Sequence, residues 1–262
     1  MAMLGSFFDE SGTHSDSNGV TAIGGFVASD ATWSTVEAAW EKELSGWSDY
    51  GVRTYHAVDC LWGNNEFGSP RLDQFKRHVI IYRLANILGD ADVQAIHAAV
   101  YNADWTIATT GQTPFLKRYP KPYDFLFDNI VHDLRVWARI KTGGERIAPS
   151  FAVQEEYQDR SRQIYDAYWR NPAWKDFLGP ISFGHPSQLV PYQCADHIAF
   201  WLRYEWERPS KEKITLENGG MVNALGNAVR KNGLLRQGGC WTLESMRNAI
   251  EQFNRTGTLE TS

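Results

Sequence analysis

The chain has 262 residues, a formal net charge of −5, 22% charged side chains and 43% hydrophobic ones, proportions ordinary for a soluble globular protein with a real core. The negative balance excludes a generally basic surface, so a nucleic-acid partner has to be gripped by local Lys/Arg clusters. Cys60, Cys194 and Cys240 are odd in number, far apart and without paired metal-ligand spacing, which argues for reduced thiols in a cytoplasmic setting and against a disulfide framework or zinc knuckle.

The opening "MAMLGSFFDESG" lacks a basic segment followed by a long apolar one, so no signal peptide is expected. No apolar run approaches the roughly 20 residues that span a bilayer, and no membrane association is expected either. "MLGSFF" (Met3 to Phe8) predicts a short buried strand, and "VTAIGGFVAS" (Val20 to Ser29) predicts its hairpin partner across a polar turn. Gly24-Gly25 inside the second run implies a bulge or a close backbone approach. Asp30 then suits a helix cap, and Trp33, Val36, Trp40, Leu44 and Trp47 make one apolar stripe.

"RTYHAVDCLWGNNEFGSP" (Arg53 to Pro70) reads as a short strand and loop, followed by a helix from Arg71 to Leu88 and a strand from Val93 to Tyr101. After Pro122 a helix buries Tyr123, Leu126, Phe127, Ile130, Val131, Leu134 and Trp137 on one face. "APSFAVQEE" (Ala148 to Glu156) reads as a strand ending on paired acids, with a helix through Arg170 behind it. "GPISFGH" is a last short strand, "LVPYQCADHIAFWLRYEW" a long buried helix, and the tail after Glu207 more polar and helical, with "MVNALGNAVRK" and "TLESMRNAIEQF" as its helices. Strands alternating with helices after a hairpin give one α/β domain over 1–206 and a helical extension over 207–262 packed on it. The many aromatics read as core filling in preference to base-stacking platforms.

Three places put an acid where the core should be: Asp9 at the end of a Met/Leu/Phe strand, Glu155 at the end of "FAVQEE", and Asp196 among Tyr192, Ala199 and Phe200 on a buried helix. Converging carboxylates repel one another, and a divalent cation relieves that penalty. Oxygen ligands without cysteine favour Mg²⁺ or Mn²⁺, which activate water at a phosphodiester. Each acid also has a plainer role: Asp9 can cap its turn, Glu155 and Glu156 can open a helix, and Asp196 can pair with Arg203 or a tyrosine.

"FFDESG", "GGF", "YHAVD", "FAVQEE" and "PYQCADHIAF", in this order, resemble the family called domain of unknown function 3800, over Phe7 to about Tyr204. The resemblance implies a ribonuclease-H-like mixed sheet flanked by helices and a metal-dependent nuclease site. It implies Asp9, Glu155 and Asp196 as metal ligands and a catalytic place for His56, which can otherwise simply pair with Asp59, with Glu10, Asp59 and Glu156 in support and Gln193 orienting the site. Family members often carry another acid a turn beyond the helix Asp, where this chain reads "FWL" at Phe200 to Leu202, so a fourth carboxylate has to come from elsewhere.

Asp124, Asp128 and His132 have metal-binding spacing on one helix, but they lie off its apolar stripe and are expected to face water. "LKRYPKP" (Leu116 to Pro122) can grip a phosphate backbone or form an ordinary charged loop. No Walker segment or nucleophile elbow occurs. The leading expectation is a nuclease acting on DNA or RNA with Mg²⁺ or Mn²⁺. Its rivals are a non-cleaving nucleic-acid-binding or assembly module and a hydrolase of small phosphoesters.

Overall fold

A computed structural model describes residues 3–13, 19–141, 145–207 and 238–257. The fold is α/β: a mixed sheet with helices on both faces. Met3–Ser11 (β1) and Val20–Ala28 (β2) form the opening hairpin, and Asp9 stands opposite Gly24. Gln94–Tyr101 (β3) pairs antiparallel with β2, and Arg146–Ala152 (β4) pairs parallel with β1. Ser182–Gly184 (β5) and Gly238–Trp241 (β6) close the two edges, giving the order β5-β4-β1-β2-β3-β6 among the described residues. Only β2 runs against the others, so β1 and its parallel neighbour β4 deliver their carboxyl ends to the same edge.

One face is covered by Asp30–Ser45 (α1), Ala57–Trp62 (α2), Gln74–Asp90 (α3) and Val190–Glu207 (α9). The other carries Asn102–Thr109 (α4), Thr113–Arg118 (α5), Pro122–Lys141 (α6), Glu155–Trp169 (α7) and Leu243–Thr256 (α10), with the short turn Pro172–Lys175 (α8) after α7. Each face has its own apolar core, as expected when a sheet is buried on both sides. Most of the aromatics fill these cores: Trp40, Phe8, Phe26, Phe127 and Phe151 are among the largest fully buried side chains.

Gly24 is a close approach rather than a bulge, since the β1–β2 register is unbroken. A Cβ on Gly24 would sit 3.2 Å from the Ala199 amide nitrogen, so glycine lets α9 lie against the hairpin. Because Asp9 shares its row with Gly24, Asp9 also faces α9.

Several elements differ from their sequence reading. Ser29, not Asp30, caps α1, its hydroxyl accepting the Thr32 N–H at 3.2 Å. Trp47 lies past the end of α1 and donates to Glu43 Oε1 at 2.9 Å. The segment read as strand and loop contains α2, stopped by Gly63 in the left-handed region (φ 73°). β4 ends at Ala152, four residues before Glu156, and α4 and α5 occupy a stretch where residue spacing marks no element. The segment after Glu207, read as helical, supplies the strand β6 as well as α10; "MVNALGNAVRK" lies outside the described residues.

Asp124, Asp128 and His132 do not face water. They are 3%, 4% and 7% exposed, because a second layer of helix covers that side of α6. Asp128 accepts hydrogen bonds from the Tyr119 hydroxyl (2.6 Å), at the end of α5, and the Tyr168 hydroxyl (2.8 Å), on α7. Helical periodicity locates an apolar stripe, but it is blind to polar groups brought in from elsewhere. Among the described residues no helix is long and apolar enough to cross a membrane.

Candidate functional site

At the carboxyl ends of β1 and β4 the sheet and α9 part to form a cleft of about 520 Å³. Such a position is where ligands bind in open α/β sheets. Asp9 from β1 and Asp196 from α9 line it, with Glu10, His56 and Arg203. Asp9 and Asp196 are 8% and 7% exposed. Burial, then the charges of Glu10 and Asp196, hold the Asp9 carboxyl well above the usual carboxylate range. Burial likewise raises Asp196 to about 6, although His56, the Ala57 amide and Arg203 pull it down. Glu10 is pushed up to about 7, first by burial, with hydrogen bonds from its neighbours opposing the rise.

Asp196 does more than face the cleft. Its Oδ2 accepts the Ala57 N–H at 2.6 Å, satisfying an orphan donor at the start of α2 from across the fold. That contact and the hydrogen bonds of Gln193 explain why "YHAVDC" is shaped as it is. The buried Gln193 Oε1 accepts both the Tyr55 N–H (2.9 Å) and the Trp40 indole N–H (3.1 Å), tying α9 to α1 and to the residue before His56. His197 Nδ1 meets the Tyr55 hydroxyl at 2.8 Å on the same strap, and burial lowers this imidazole to about 3, which keeps it neutral.

His56 is thereby set at the mouth of the cleft. Its Nδ1 lies 2.9 Å from Asp59 Oδ2 and its Nε2 4.0 Å from Asp196 Oδ1. An ionised Asp59 accepts only, so the network assigns the Nδ1 proton to His56 and turns Nε2 toward Asp196. Asn65 Nδ2 donates to the same Asp59 oxygen at 2.9 Å and steadies it.

Of the sequence-predicted residues, Asp9, Glu10, His56 and Asp196 share the cleft, while Asp59 and Gln193 support it from behind. Glu155 and Glu156 stand apart. They form the exposed first turn of α7 after Gln154, where acids suit the helix dipole, and Glu156 pairs with Lys121. Gln154 itself reaches the cleft, as does Arg203; neither breaks an apolar pattern in a way that marks it as a site residue. No family model, curated protein or solved structure matches this chain.

The donor chemistry suits a hard cation: carboxylates from a strand and a helix share a cleft, and after burial and Glu10 the charge of Asp196 helps to hold Asp9 protonated. Among the described residues no group of three His, Cys, Asp or Glu side chains is assembled to hold a metal ion. A pair is still adequate for Mg²⁺, which is commonly bound through one or two carboxylates and completed by water and substrate phosphate.

Proposed function

We propose that this chain is a metal-dependent phosphodiester hydrolase, a nuclease that uses Mg²⁺ or Mn²⁺ at Asp9 and Asp196 and acts in the cytoplasm on DNA or RNA. The observation that carries the reading is the meeting of those two buried carboxylates in an open cleft at the carboxyl end of a central strand. The strand order β3-β2-β1-β4-β5, with β2 alone reversed, supports a ribonuclease-H-like domain and with it the likeness to the domain of unknown function 3800 family.

The chemistry that a divalent ion would supply there is activation of a water and charge stabilisation on a phosphate oxygen. Asp9 and Asp196 would hold that ion, with Glu10 next along the strand. His56, fixed through Nδ1 by Asp59, keeps Nε2 at the cleft, where it takes a proton from the attacking water or returns one to the leaving oxygen. Gln193 keeps the Tyr55–His56 strap from shifting, and so acts as a positioning residue.

The decisive experiment measures Mn²⁺-dependent cleavage of single- and double-stranded DNA and RNA by wild type, Asp9→Asn and Asp196→Asn. Loss of cleavage in both variants is expected, and undiminished cleavage in either overturns the reading. Salt-sensitive binding without turnover would point to a non-cleaving module, and turnover confined to small phosphate esters would make the chain a phosphoesterase.

A further inference from the structure

Among the described residues that line this cleft, Arg203 is the side chain that carries a permanent positive charge. It lies on α9 seven residues after Asp196, two turns on and hence on the same face of the helix. Its side chain is 24% exposed and lines the cleft with Asp9 and Asp196. The guanidinium carbon sits 5.4 Å from the centre of the Phe200 ring, so its plane is backed by an aromatic face. Among the described residues Nε is buried without a hydrogen-bond partner, and Glu207 Oε2 is 3.6 Å away, too long for a hydrogen bond. Strong arginine–carboxylate pairs are commonly short and bidentate, and among the described residues no such pair holds this guanidinium.

Gly12, just past the end of the first hairpin strand, lies against this side chain. Gly12 has φ +83°, and a Cβ there would fall 2.8 Å from Arg203 Cδ as well as 2.0 Å from the Val20 carbonyl oxygen. Glycine at the close of "DESG" therefore serves two ends, the turn out of β1 and the seat of Arg203. The cleft has a cation-seeking side, Asp9 with Asp196, and an anion-seeking side, Arg203.

We propose that Arg203 forms a phosphate subsite, donating to a non-bridging oxygen of the phosphate ester whose other oxygens face the carboxylate pair. The inference rests on the hydrolase reading above and assigns the binding of its anionic group to one side chain. Arginine suits the task because its planar fork matches phosphate and stays charged at every working pH.

The test measures binding of inorganic phosphate, and separately of a short phosphorothioate-linked oligothymidine, by calorimetry in Mg²⁺. The proteins compared are wild type, Arg203→Lys and Arg203→Gln, each checked by thermal melting. Arg203→Gln is expected to weaken phosphate binding about 10- to 100-fold, the range for losing a hydrogen bond to a charged group. Arg203→Lys should fall between, and the salt slope for the oligonucleotide should drop by about 0.7 on removal of one phosphate contact. Equal phosphate affinity in Arg203→Gln and wild type overturns the proposal, as does failure of wild type to bind phosphate. Unchanged affinity with a lowered melting temperature overturns it too, by making Arg203 a purely structural partner of Asp196 and Glu207. The two readings fail separately: Asp196-dependent cleavage with Arg203-independent phosphate binding sinks only the subsite, and Arg203-dependent phosphate binding without cleavage sinks only the nuclease.

Discussion

Asp128 on α6 and Asp196 on α9 are both buried aspartates on long helices packed against the same sheet, one on each face. Asp128 is enclosed by its partners. Two tyrosine hydroxyls donate to it, and Arg118 lies 3.8 Å off. Asp196 accepts a backbone N–H on one side and on the other opens onto a cleft that it shares with Asp9, Glu10, His56 and Arg203. The contrast teaches that burial of an acid does not mark a site. An unsatisfied direction, turned toward space that a ligand can enter, does.

The largest effect should separate the two aspartates by activity. Asp196→Asn is expected to lower Mn²⁺-dependent cleavage by more than about 100-fold, beyond what losing outer-shell support of a metal site costs. Asp128→Asn should leave the rate per folded molecule within about twofold, since Asp128 touches no part of the cleft and surface-remote changes act mainly through stability. Comparable losses in both would erase the distinction.

Stability should separate them in the opposite sense. Asp128→Ala leaves the buried Tyr119 hydroxyl and the half-buried Tyr168 hydroxyl without their acceptor, at about 1–3 kcal/mol for the first and less for the second, so urea unfolding should show a loss of about 2–3 kcal/mol. Asp196→Asn keeps a carbonyl for the Ala57 N–H and removes a charge that Asp9 opposes. Without metal its midpoint should equal or exceed that of wild type.

A pH series sharpens the same point. Asp196 is raised to about 6, so the folded chain binds more protons than the unfolded one between about 4 and 6, and this group's contribution to stability falls as pH rises through that window. Asp196→Asn should flatten that part of the wild-type curve measured in a chelator, and Mg²⁺ should flatten it in wild type. An unchanged slope in the variant would mean that Asp196 is not strained by its charge.

The smallest effect is expected from Glu155→Gln. Exposed in the first turn of α7, Glu155 should change stability by no more than about 0.5 kcal/mol and leave metal-dependent cleavage as it is. A severe loss of cleavage would mean that the carboxylate set closes around substrate in an arrangement that includes α7.

Much of the architecture was legible along the chain, because apolar periodicity and short-range turn chemistry are local. The opening hairpin, the stripe of α1, the helix after Pro122 and the long buried helix of Asp196 all follow from residue spacing. Asp9 and Asp196 stood out for the same reason, as acids interrupting apolar runs. Glu155 breaks its run in the same way and opens a helix, since the same two letters serve a strand end or a first turn until the chain is seen to enter α7 right after Gln154. What only the tertiary structure decided is which acids find partners. Tyr119 and Tyr168 are brought to Asp128 by helices distant in sequence, Ala57 and Arg203 are brought to Asp196, and α9 reaches Asp9 because Gly24 lets it lie close. Composition and period set where charge is costly, and only contacts between remote segments settle whether that cost is met inside the protein or left open to a ligand.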